Sequence, residues 1–163
     1  MISNPCNPAT GSVPHRLWPG DPMLGAVLAL IRTAFAGMDG RIDPPSSMHR
    51  LTVADLSAPT CEVWVIGALP AACVLLTPRA DTLYLGKLAV TPAHRGRRLA
   101  RRLVDLACDR ARAFGLPSVT LQVRVELEEN HRAFARMGFA EVGRTAHAGF
   151  DRPTAITFVR PVA

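Results

Sequence analysis

The alternation of apolar and polar positions divides the chain into helical and strand-like segments. Over residues 22–37, Leu24, Val27, Leu28, Ile31 and Phe35 recur at three- and four-residue intervals. That spacing predicts a core-facing helix with Asp21 as N-cap and Pro22 at its first position. Residues 61–66, 71–77 and 82–90 are β-branched and aromatic runs separated by turns at 67–70 and 78–81, which predicts an antiparallel three-stranded meander. Thr91-Pro92 ends its third strand, because proline has no N–H for the ladder. The helical period returns over 96–114. Leu99, Leu103, Leu106, Ala107, Ala111 and Phe114 form the apolar stripe, and Arg102, Asp105, Asp109, Arg110 and Arg112 the solvent face. Gly115 and Pro117 close that helix.

A strand over 118–125 follows one crossover helix after the strand 82–90, so the two are expected to be parallel neighbours in a right-handed β-α-β unit. A short helix over 128–137 ends at Gly138, and strands over 139–144 and 154–160 close the sheet. Between the first helix and the meander, Ser46 or Ser47 is expected to cap a second, shorter helix reaching about Leu56. The expected order, α-α-β-β-β-α-β-α-β-β, describes an α/β (α+β) fold. Its sheet is mixed and mostly antiparallel, with one parallel crossover and helices on both faces.

Composition adjusts this picture in a few places. Pro5, Pro8, Pro14 and Pro19 among Ser, Asn and Gly mark residues 1–20 as a flexible tail, leaving 21–163 as a single domain. The apolar stretch 23–36 lies behind five prolines and is interrupted by Arg32, so it reads as a helix rather than a signal peptide. No run approaches the ~18 apolar residues that a membrane span needs. Cys6, Cys61, Cys73 and Cys108 form no CxxC pair, so no metal site is expected and the chain reads as reduced and cytoplasmic. The formal charge is +6, and the basic residues are eighteen arginines and one lysine, Lys87. Aromatics are only 6 % of the chain, which weighs against a nucleic-acid partner.

The chemistry concentrates at residues 82–114. A strand runs into an arginine-rich loop that opens directly onto a helix. The unpaired N–H groups and positive dipole of a helix's first turn attract anions, and Arg95, Arg97, Arg98, Arg101 and Arg102 add charge there. A multiply charged phosphate ligand is the expectation. Neither GxGxxG after a first strand nor GxxxxGK[ST] is present, which excludes the Rossmann and P-loop ways of holding one.

With these features the chain, over about residues 23–160, resembles the GNAT superfamily of acyl-CoA-dependent N-acetyltransferases. LGKLAVTPAHRGRRLARRLV is similar to the family's strand, pyrophosphate loop and helix, with the signature [RQ]-x-x-G-x-[GA]. Arg95-Gly96-Arg97-Arg98-Leu99-Ala100 fits it except at the central glycine, where Arg98 stands. LQVRVELEENHRAFARMGF resembles the strand and helix that end in the family's Gly-Phe, here Gly138-Phe139. The resemblance implies acetyl-CoA as co-substrate and an amine acceptor that the sequence does not identify. Its pyrophosphate would be held by Arg95, Gly96, Arg97, Arg98, Leu99, Ala100 and Arg101. Its pantetheine arm would lie between splayed strands beside Leu88, Ala89 and Val90, with Asn130 and Phe134 along it.

N-acetylation needs a neutral amine, an oxyanion donor and a thiolate able to leave. The resemblance implies the backbone N–H near Leu88 as that donor. The tyrosine that many members place four residues before the Gly-Phe is Phe134 here, and a glutamate base found in some members is matched by Tyr84. Tyr84 shares strand parity with Gly86, Leu88 and Val90, so it is expected on one face with them. Tyr84, Glu126 and His147 are the candidate catalytic side chains. Asp39, Arg41, Asp43 and Tyr84 are the candidate acceptor contacts, although a loop rich in Asp and Ser also serves turn chemistry. An acyl-CoA-binding domain without turnover and a basic nucleic-acid module remain as alternatives. The oligomeric state is left open, a homodimer among the options, and no membrane partner is expected.

Overall fold

The computed structural model describes residues 13–162. Seven strands form one sheet: β1 (His15–Leu17), β2 (Glu62–Ile66), β3 (Ala72–Pro78), β4 (Leu83–Val90), β5 (Ser118–Arg124), β6 (Ala140–Thr145) and β7 (Ala155–Pro161). Their spatial order is β1-β2-β3-β4-β5-β7-β6, with β4 and β5 the one parallel pair. The helices are α1 (Leu24–Phe35), α2 (Val53–Leu56), α3 (Leu99–Ala113) and α4 (Glu128–Arg136). The expected mixed, mostly antiparallel sheet with a single parallel crossover is therefore observed.

Each face of the sheet carries its own apolar layer. Leu24, Val27, Leu28 and Ile31 of α1 pack with Val63, Val65, Cys73 and Ala89 on one face. Leu99, Leu103, Val104, Ala107 and Ala111 of α3 pack with Val74, Leu76, Leu83, Leu85, Val119 and Leu121 on the other. Leu127, Phe134, Met137 and Phe139 bring α4 and its flanks to that second face. The three- and four-residue spacing marks most of these positions, but in α3 Val104 and Cys108 are buried outside the expected stripe, and Phe114, expected within it, is 42 % exposed at the end of the helix.

The structure departs from the sequence reading at several boundaries. His15–Leu17, within the expected tail, pairs with β2 in register His15↔Val65 to Leu17↔Val63. Residues 1–12, the first part of that tail, lie outside the described residues. Asp21 caps one turn early: its Oδ1 accepts from Met23 N at 2.8 Å, whereas α1 itself has no side-chain cap. The second helix divides into a 3-10 turn, Ser47–Arg50, and α2. Ser46 Oγ caps the turn through Met48 N, and Thr52 and Asp55 form a reciprocal capping box on α2. A local cap at residue 52 restarts the helix, because capping residues favour a break over continuation. Finally, α3 begins at Leu99 rather than at 96, because Gly96 (φ +79°) and Arg98 (φ +59°) are both left-handed.

Candidate functional site

The gap between β4 and β5 positions the site. These parallel strands pair only at Leu83↔Val119 and Tyr84↔Thr120. A cluster of hydroxyls ties that closed end: Thr82 Oγ1 donates to Ser118 O at 3.0 Å and lies 2.7 Å from Thr120 Oγ1. Past Tyr84 the two strands are no longer paired. β5 continues along β7 through Arg124↔Ala155, while β4 follows β3. Between the pairs Leu75↔Gly86 and Cys73↔Ala89, β4 holds one residue more than β3. This bulge contains Lys87, whose φ is +48°.

The bulge also corrects the expected strand parity. Tyr84 and Gly86 do not share a face with Leu88 and Val90. Leu83 and Leu85 join the α3 layer, and after the extra residue so do Leu88 and Val90, whereas Ala89 joins the α1 layer. One inserted residue exchanges the faces of everything beyond it, which period-two counting cannot detect.

Two cavities open on this frame, and they share no lining residue. The smaller, about 760 Å³, is lined by Val90, His94, Arg95, Gly96, Arg98, Leu99, Ala100, Arg101, Ala133, Arg136 and Met137. Among the described residues, the backbone N–H groups of Gly96 through Arg101 have no acceptor within the protein. The first helical bond of α3 outside its own span is Arg102 N to Arg98 O at 3.1 Å. Six successive free donors beside arginines make an anion cradle. Six of the seven residues expected to hold a pyrophosphate line this cavity, and Arg97 does not. Arg136 does and was missed. Its signal was the one-face spacing of Ala133, Arg136 and Met137, on the helix that follows β5.

The larger cavity, about 1010 Å³, lies at the gap and is lined in part by Tyr84, Gly86, Lys87, Leu88, Arg124, Leu127, Asn130, Phe134 and His147. Phe134 packs edge-on against Phe139, with ring centroids 5.7 Å apart. Arg79 stacks over the Tyr84 ring at 3.9 Å. Burial pushes the Tyr84 phenol up, against the opposing pull of Arg79. His147 Nδ1 contacts Thr154 Oγ1, and slight desolvation together with Arg124 lowers its pKa from the ordinary histidine value. Glu126 does not line the cavity, and its Oε2 accepts from Asp43 N at 3.2 Å.

The candidate acceptor residues Asp39, Arg41 and Asp43 do not line it either. His49 Nε2 lies 2.8 Å from Asp39 Oδ1, Arg41 pairs with Glu129 at 2.7 Å, and Asp43 pairs with Arg152 at 3.1 Å. These side chains brace the loop, and its neighbours Pro45, Ser46, Ser47, His49 and Arg50 face the cavity instead. Among the described residues, no cluster of His, Cys, Asp and Glu is arranged to hold a metal ion. Nor is any helix long and apolar enough to cross a membrane.

The description "Acetyltransferase (GNAT) family" belongs to the family model that matches residues 28–139. No curated protein matches the chain in sequence. Solved structures share the fold at low identity. The ribosomal-protein-S18-alanine N-acetyltransferase from Escherichia coli is 20 % identical, with a TM-score of 0.69 over 93 % of this chain and 94 % of that one. The aminoglycoside 6'-acetyltransferase type Ii is 17 % identical, with a TM-score of 0.73 over 93 % and 97 %. An acetyltransferase from Streptococcus agalactiae is 16 % identical, with a TM-score of 0.71 over 93 % and 98 %.

Proposed function

The chain belongs to the GNAT acetyltransferase family, and from that premise we propose that it transfers an acetyl group from acetyl-CoA to a primary amine of a small molecule or peptide, by direct attack in a ternary complex. The observation that carries this reading is the run of six unpaired backbone N–H groups, Gly96 through Arg101, where β4 leads into α3 at the open end of the β4–β5 gap. That cradle fits a pyrophosphate, and Arg95, Arg98, Arg101 and Arg136 line the same cavity. The unpaired stretch of β4 offers backbone to a pantetheine arm that leads toward the larger cavity.

Acetyl-CoA supplies the thioester carbonyl, and everything else falls to the chain. The Leu88 N–H, beside the bulge, is assigned to the carbonyl oxygen. Tyr84, kept neutral by burial, acts as a hydrogen-bond donor in the acceptor cavity rather than as a base. Phe134 has no proton to give the departing sulfur, and a thiol of pKa about 8.5 leaves largely without one. His147, exposed and inclined to be neutral, is the side chain in the cavity suited to accept the amine's proton.

Acetyl-CoA is expected to raise the melting temperature. Arg95→Glu should abolish that shift, while Arg97→Glu, whose parent side chain does not line the cavity, should weaken it less. No shift at millimolar acetyl-CoA, or an Arg97→Glu effect larger than that of Arg95→Glu, would contradict the assignment. The absence of a tyrosine at Phe134 favours one competing reading, an acyl-CoA-binding domain without turnover. Free CoA released across a panel of amines separates the two.

A further inference from the structure

The acceptor cavity is lined by the cations Arg50, Lys87 and Arg124 together with His49 and His147, and by no Asp or Glu side chain. Two of these cations stand out. Lys87, the only lysine of the chain, sits in the β4 bulge with a left-handed backbone, and its Nζ reaches only Ser47 Oγ at 3.3 Å. Arg124, at the end of β5 across the gap, donates Nη2 to Pro45 O at 3.2 Å. Its Nη1 is buried and has no hydrogen-bond partner among the described residues. Neither cation forms an ion pair among the described residues.

The nearby carboxylates Glu126 and Asp43 both act on Arg124 through space, but neither comes within ion-pair distance of it. Asp43 is paired with Arg152, and Glu126 Oε2 accepts from Asp43 N while its Oε1 is buried without a partner among the described residues. Burial and the charge of Arg124 both disfavour the charged form of Lys87. Two like charges held together in a half-buried cavity raise the free energy of the site, and a bound anion offsets that cost. A polycationic acceptor adds to it.

We propose that Lys87 and Arg124 form an anion subsite in the acceptor cavity, so that the accepted amine carries a carboxylate or phosphate group. The proposal rests on the transferase reading above for its second half only; the anion subsite itself stands on the cavity. Arg124 offers a spare N–H for a directed hydrogen bond, and Lys87 offers a mobile ammonium that can follow the ligand. The β4 bulge is what brings Lys87 to this position. Without the extra residue, period-two alternation would resume and the faces of β4 would not exchange.

The test uses matched amines on one scaffold: β-alanine, O-phosphoethanolamine, β-alaninamide and 1,3-diaminopropane, extended to the common amino acids and their carboxamides. Turnover is scored by release of free CoA. In any set that turns over, the anionic member is expected to lead its neutral and cationic partners by at least 10-fold in kcat/KM. Arg124→Gln and Lys87→Gln should each reduce that preference to within about 3-fold while leaving the CoA-induced melting shift intact. The carboxylate and phosphate arms distinguish the two anions. A neutral or cationic leader, or a preference unchanged in both variants, overturns the proposal.

A second measurement does not depend on turnover. Succinate, inorganic phosphate and neutral succinamide are titrated into the CoA-loaded protein by calorimetry. Binding of either anion that is lost in Arg124→Gln supports the subsite even when no amine is acetylated, an outcome that would count against the transferase reading alone. No anion binding at tens of millimolar overturns the subsite.

Discussion

Thr82 Oγ1 lies 2.7 Å from Thr120 Oγ1, and this contact closes the narrow end of the gap between β4 and β5. Thr82 also donates to Ser118 O and accepts from Ser118 Oγ, each at 3.0 Å, so three hydroxyls and a carbonyl satisfy one another at the closed end, beside the pairs that precede the parting of the two strands. Replacing the hydroxyl by a methyl group leaves Ser118 O and two hydroxyls short of a partner. Thr82→Val is expected to cost about 1–3 kcal/mol, or roughly 2–4 °C of melting temperature per kcal/mol at this size. A double-mutant cycle with Thr120→Val should show coupling above about 0.5 kcal/mol. Strict additivity would mean that the two hydroxyls do not act together.

Arg98 occupies a left-handed backbone, φ +59°, at the position where the family signature has glycine. A side chain there costs about 1 kcal/mol relative to glycine. Arg98→Gly is therefore expected to raise the melting temperature of the free protein, whereas Arg98→Ala retains the strain and changes it little. Both variants lose a charge at the cavity proposed to hold the pyrophosphate and should weaken CoA binding at low salt. A glycine variant no more stable than the alanine variant would refute the strain account.

Glu62 is 5 % exposed on β2, and Arg110 of α3 pins it with two bonds, Nε to Oε1 at 2.9 Å and Nη2 to Oε2 at 2.7 Å. Trp64 Nε1 adds a third bond at 2.9 Å, and Arg16 lies 3.6 Å away. Burial pushes the carboxyl up, but Arg110, Trp64 and Arg16 together outweigh it and leave the pKa below the ordinary value of 4.5. A carboxylate with a depressed folded pKa stabilises the protein above its unfolded pKa, and that contribution disappears as pH falls through the folded value. Thermal melts of wild type should therefore lose stability on acidification below about pH 4.5, and Glu62→Gln should flatten that loss. Arg110→Met leaves a buried carboxylate with only Arg16 and Trp64, and is expected to cost about 3 kcal/mol at neutral pH. Equal acid sensitivity in Glu62→Gln and wild type would assign the effect to other carboxylates.

Phe134 lines the larger cavity from α4, at the position where the family resemblance implies a proton-donating tyrosine. Phe134→Tyr preserves the edge-on packing against Phe139 and adds a hydroxyl. Because a thiolate already leaves readily, kcat is expected to rise by roughly 3- to 10-fold rather than by the full effect of a general acid. The gain should persist up to the ordinary phenol pKa of about 10 and fall away above it, where the hydroxyl has lost the proton it would donate. A fall in kcat would show that the ring serves packing alone.

Much of the fold is legible along the chain, because helices and strands of a two-faced sheet each impose a local period. The spacing of Leu99, Leu103, Ala107 and Ala111 marks the buried stripe of α3, and the arginine-rich loop after β4 marks the anion cradle. Short-range competition is harder to see. Thr52 and Asp55 form a cap that splits the expected second helix, and His15–Leu17 becomes a strand only because β2 offers it an edge. Arg110 counts as helix surface in the sequence. It turns inward because a buried glutamate forty-eight positions away needs a partner.

By itself, then, the sequence marked most of the elements, the single parallel crossover and the loop of free N–H groups and arginines, since those follow from periodicity, capping and charge within a few turns of chain, whereas the strand His15–Leu17 and the division of the second helix were not legible in it. Which residues line the larger cavity was decided by the tertiary structure alone. One extra residue in β4 exchanges the faces of everything beyond it, and that bulge exists only relative to β3. Asp39, Arg41 and Asp43 are drawn into pairs with His49, Glu129 and Arg152, up to 109 positions away, and so leave the cavity to Lys87 and Arg124. Ion pairs and bulges of this kind depend on distances across the fold, and no local pattern in the chain encodes them.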